Sequence, residues 1–79
     1  MNMNKTTMKV RDLGLAAALT SCGFEVFKVD KCKGSHAYFI FIETDELKTA
    51  INEYWADTLE VQARKLVDNI KMLKSRIYS

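Results

Sequence analysis

Between Leu13 and Phe24 the chain carries no charged side chain, while the segments on either side mix charged and apolar residues at short intervals. That uncharged run predicts a first helix from about Val10 to Cys22, with Asp12 in its first turn, where the helix dipole favours a carboxylate. Gly23 follows as the expected C-terminal cap in a left-handed conformation. Leu13, Ala16, Ala17, Ala18 and Leu19 leave little polar face beyond Thr20 and Ser21, the pattern of a helix buried nearly all round. Its alanines and Gly14 would let another backbone come close.

A hairpin is expected next. Phe24, Val26, Phe27 and Val29 supply its first strand, and Lys31 to Ser35 a turn centred on Gly34. The second strand runs from about His36 to Glu43 through Tyr38-Phe39-Ile40-Phe41-Ile42. Lys28 and Asp30 suit an edge, so the second strand is read as the more central. Thr44 is a good N-cap, with Asp45 and Glu46 behind it. Leu47, Ala50, Ile51, Tyr54 and Trp55 then recur at helical spacing up to about Ala56. Leu59 to Val61 alternates apolar and charged residues, which fits a very short third strand. From Ala63 the period is helical again, with Ala63, Leu66, Val67, Ile70, Leu73 and Ile77 on one face. The expected fold is α+β, a small single domain over residues 1–79 in the order α-β-β-α-(β)-α, with residues 1–8 flexible.

The apolar run at residues 38–42 poses the main packing question. Successive strand side chains point to opposite faces, so Tyr38, Ile40 and Ile42 need cover on one side and Phe39 and Phe41 on the other. The two amphipathic helices would cover one face. The alanine-rich first helix, or a second copy of the chain, would cover the other. A chain of 79 residues buries only about 60% of the surface its unfolded form exposes, and an isolated hairpin is marginal in water. Self-association through an apolar patch that includes the hairpin or the first helix is therefore expected, as a homodimer.

Composition narrows the function classes. A formal charge of +2 is well short of the basic excess usual in dedicated nucleic-acid binders. The uncharged run is too short to span a bilayer and lacks a secretory layout. The expected location is the cytoplasm, with Cys22 and Cys32 as free thiols and no membrane contact.

Few residues offer chemistry. His36 is the one histidine, and Cys22, Cys32 and His36 lack the paired spacing of a structural zinc site. No phosphate-binding glycine loop or hydrolase motif occurs. The expectation is no enzyme activity, no metal and no cofactor. The last helix is the candidate partner surface, through Arg64, Lys65, Lys71, Met72 and Arg76. Its basic residues, Lys74 among them, suit phosphates, but Asp68 sits among them and Asp57 and Glu60 precede them. Met72 among basic residues fits an adaptable contact surface. Tyr54 and Trp55 are read as core and core-edge, and Tyr78 as packing on the neighbouring helix.

Taken together, "DLGLAAALTSCGF", "YFIFIETDEL", "INEYW" and "VQARKLVDNIKMLKSRIY" resemble a family of short uncharacterised bacterial proteins, often borne by prophages or phages. The family pattern is a D-L-x-L-A-A helix, a Y-F-x-F strand, a Y-W pair and a terminal L-K-S-R-I-Y-like segment. Its members often have Asn-Gly after the Y-W pair and Asp-Pro opening the last helix, where this chain has Ala56-Asp57 and Gln62-Ala63. The resemblance implies a small host-cytoplasmic domain of phage or mobile-element type, and carries over no site or substrate. The reading that follows is a non-enzymatic binding protein that contacts a host or phage protein, for example to inhibit a defence or regulatory system. Its rivals are a nucleic-acid-binding regulator using the last helix and a sponge for a small nucleotide ligand.

Overall fold

The computed structural model describes residues 6–31 and 37–78. Strand β1 (Thr7–Val10) leads into helix α1 (Leu13–Ser21), followed by β2 (Val26–Lys31), β3 (Ala37–Ile42), α2 (Asp45–Trp55) and α3 (Ala63–Ile77). The three strands form one antiparallel sheet in the order β1-β3-β2, so β3 is central and β2 an edge. This is the α+β class with one strand in an unexpected place.

The sheet's third strand comes from the start of the chain, not from residues 59–61. Thr7 to Val10 pairs with Ile42 to Phe39, so Val10 belongs to the sheet and α1 begins three residues later. Asp12 is then the N-cap itself, its Oδ1 accepting from the Leu15 amide at 2.9 Å. Residues 59–61 are a connection whose Leu59 packs against the core. The hairpin turn, with Gly34, lies outside the described residues, as do Cys32 and His36.

The ends of the helices follow local chemistry. Gly23 has φ 102°; its amide donates to Thr20 and that of Phe24 to Leu19, which satisfies carbonyls orphaned at the end of α1. Thr44 caps α2 by accepting from the Leu47 amide at 3.0 Å.

Phe39 and Phe41 are each 1% exposed and share one cluster with Leu15, Ala16, Ala17 and Leu19 of α1, Leu47 and Ala50 of α2, and Leu73 of α3. All three helices therefore lie on the Phe39/Phe41 side of the sheet. α1 does not cover the opposite face; it is buried within its own chain, against α3 and α2. Its small residues permit that approach. A Cβ on Gly14 would stand 2.9 Å from the Tyr54 hydroxyl, and Asn69 of α3 donates to Ser21 Oγ at 2.9 Å. The shortest dimension, 18 Å, suits two layers, one of sheet and one of helices.

Candidate interaction surfaces

Three surfaces stand out, and the first is the one read from sequence. Arg64, Lys65, Lys71, Met72 and Arg76 are all exposed on α3, Met72 to 38%. They do not form one patch. At about 100° per residue, Lys65, Met72 and Arg76 fall on one flank, Arg64 and Lys71 on another, and Asp68 between them. Met72 and Arg76 line an open groove of about 300 Å³ with Thr20, Gly23, Phe24, Glu25 and Val26. The remaining apolar face of α3 is narrower than its period predicts. Leu73 is buried and Leu66, Ile70 and Ile77 pack on the core, whereas Ala63 and Val67 are exposed.

A second groove, of about 400 Å³, lies along α2 and is closed by Cys22, just past the end of α1, and by Leu59; Asp45, Glu46, Thr49, Ala50 and Glu53 line it from α2. Partial burial and the Glu53 carboxylate push the Cys22 thiol up from its ordinary value. That is opposite to the shift of a nucleophilic cysteine, whose thiolate is stabilised. Among the described residues no group of three His, Cys, Asp or Glu side chains is placed to hold a metal ion. No helix among them is long and apolar enough to cross a membrane.

The third surface is the outer face of the sheet, for which the sequence left either the first helix or a second copy of the chain as cover. Residues paired across antiparallel strands present their side chains on the same face. Ile40 is paired with Lys9 on one side and Lys28 on the other, Tyr38 with Asp30, and Ile42 with Thr7. Tyr38, Ile40 and Ile42 stand outside the core cluster, and no helix among the described residues lies over them. The register between β2 and β3 shifts between Val26 and Lys28, and Phe27, at that irregularity, is 61% exposed. Lys9 Nζ lies 5.6 Å from the centroid of the Tyr38 ring, so its stem reaches along the apolar row. An antiparallel sheet with one solvated face usually carries polar residues there. This one has three apolar residues in a line: Tyr38 and Ile42 are half-buried, and Ile40, between two lysines, is only 6% exposed.

Two aromatic expectations are corrected. Trp55 is exposed, meeting Tyr54 edge-on at 4.9 Å, and Tyr78 is 76% exposed and does not pack on a helix.

Comparison with protein-family models matches residues 5–79 to the domain of unknown function DUF5659. The match covers nearly the whole chain, and the protein belongs to that family. Neither the curated proteins nor the solved structures contain a match.

Proposed function

We propose that this DUF5659 member is a small non-enzymatic binding protein that acts through a protein–protein contact made by the outer face of its sheet. The observation that carries the reading is the row Tyr38, Ile40 and Ile42 on the helix-free side of the central strand. Small size and the resemblance to phage-borne proteins support a host or phage protein as the partner, in a host defence or regulatory system, within the cytoplasm of the host cell.

A second copy of the chain fits this surface poorly. The helix-one half of the expected dimer patch lies inside the core, where Ala16, Ala17 and Leu19 are fully buried. What remains is a three-stranded face with a planar footprint of roughly 300 Å². Even doubled for side-chain relief, that is a small interface, which suits a transient contact with a partner better than a permanent dimer. Sedimentation at micromolar concentration should therefore give a monomer, and a stable dimer would restore the homodimer reading.

The nucleic-acid alternative draws on α3, whose Arg64, Lys65, Lys71, Lys74 and Arg76 share the helix with one acid, Asp68. Their division between two flanks weakens it. A nucleotide sponge is supported least, because the carboxylates of Asp45, Glu46 and Glu53 would repel phosphates from the groove beside Cys22.

The test is retention from host lysate, with and without nuclease treatment, on immobilised wild-type protein and on its Tyr38→Ser, Ile42→Ser variant. A protein held by the first and lost from the second is the expected result. Salt-sensitive retention of nucleic acid in place of any protein would overturn the reading.

A further inference from the structure

The outer sheet face has a shape and a charge pattern that specify more than an apolar contact. From Tyr38 to Ile42 the row is about 13 Å long at the strand rise, which is the length of about nine helical residues. Ile40 sits at its middle, with Lys9 and Lys28 directly beside it on the two neighbouring strands. Asp30 is the acid on this face, beside Tyr38 at one end. Phe27, exposed at the β2 irregularity, extends the apolar surface towards one edge.

We propose that this face receives a short amphipathic helix of a partner protein, apolar along one stripe and bearing carboxylates on both flanks. The proposal rests on the binding reading above and names the partner's chemistry. A helix is the element that ordinarily covers a sheet face, and this one would complete a third layer. Its stripe would cover the half-buried Tyr38 and Ile42 and close over Ile40, which is already buried between its neighbours, while its flanking carboxylates meet Lys9 and Lys28. In the free protein Lys9 lies by the Tyr38 ring at 5.6 Å, where its stem shields the apolar row and its ammonium stays in water. A carboxylate of the incoming helix draws that ammonium outward and opens the row. Charge of this kind selects the partner and speeds its approach, while the apolar stripe supplies most of the affinity.

The experiment uses a fluorescent helical peptide of about 14 residues, with leucine on one stripe and glutamate on both flanks, and a twin with lysine for glutamate. Fluorescence anisotropy should show saturable binding of the acidic peptide alone, weakened roughly tenfold or more by Lys9→Glu with Lys28→Glu. That reversed protein should instead bind the basic twin. Amide shifts on adding the acidic peptide should centre on residues 38–42. Equal binding of both peptides would overturn the proposal. So would acidic binding that survives this reversal but is lost on Lys65→Glu with Lys71→Glu. If neither peptide binds while the lysate protein is still held through Tyr38 and Ile42, the helix proposal fails and the binding reading stands. Loss of both would remove the reading itself.

Discussion

Asp57 ends α2 with φ 64°, a left-handed conformation that costs most L-residues about 1–2 kcal/mol. The Asp57 amide donates to Tyr54 and that of Thr58 to Glu53, the same closure that Gly23 performs for α1. Glycine suits this position, and a carboxylate at a helix C-terminus also opposes the dipole. Asp57→Gly should therefore stabilise the fold by about 0.5–1 kcal/mol, after allowing for the extra freedom glycine gives the unfolded chain. Urea denaturation checks it; a lowered midpoint would mean that Asp57 makes a compensating contact. At this scale the sequence was most legible where chemistry is local. Gly23, for want of a side chain, and Thr44, through its hydroxyl, take the capping roles expected of them. Val67, Trp55 and Tyr78 were misread because an apolar side chain at helical spacing does not reveal whether its flank has a neighbour.

Among the elements, α2 and α3 start and stop within a residue or so of their sequence limits because period and punctuation agree there. β1 was missed although its pattern is present. Met8 and Val10 alternate with Thr7 and Lys9, a period of two, but four residues are too few to outweigh the helical run that follows. Pairing with Phe39 to Ile42 decides the matter, and such long-range pairing leaves little local trace. Position 62 shows the opposite case, a local rule left unused. Gln62 is the N-cap of α3 and makes no side-chain capping bond. Gln62→Asp supplies an acceptor and a charge at the positive end of the dipole, worth about 1 kcal/mol. The thermal midpoint should rise by roughly 4–8 °C for a domain of this size. An unchanged midpoint would show that the first-turn amides of α3 already have partners.

For the whole molecule, the alternation within residues 38–42 divides the protein's two tasks. Phe39 and Phe41 hold three helices to the sheet, and Tyr38, Ile40 and Ile42 face away from every helix described. The need to cover both faces was legible; which face went uncovered was not, because nothing in the helical periods says on which side a helix docks. The candidate site was legible only as an excess of apolar residues, since the flanking lysines come from β1 and β2 and meet Ile40 only through the sheet's register. The most direct test of this division is the urea unfolding midpoint of two single variants, Phe39→Ala and Ile42→Thr. Truncating a buried Phe costs about 3–5 kcal/mol, much of the roughly 4–12 kcal/mol expected for a chain of this length. Phe39→Ala should lose most or all of its cooperative transition. Ile42→Thr keeps a β-branched side chain on the outer face and should unfold within about 1 kcal/mol of wild type. Equal destabilisation of the two would contradict the account, because the outer row would then be holding the fold together and would not be free to receive a partner.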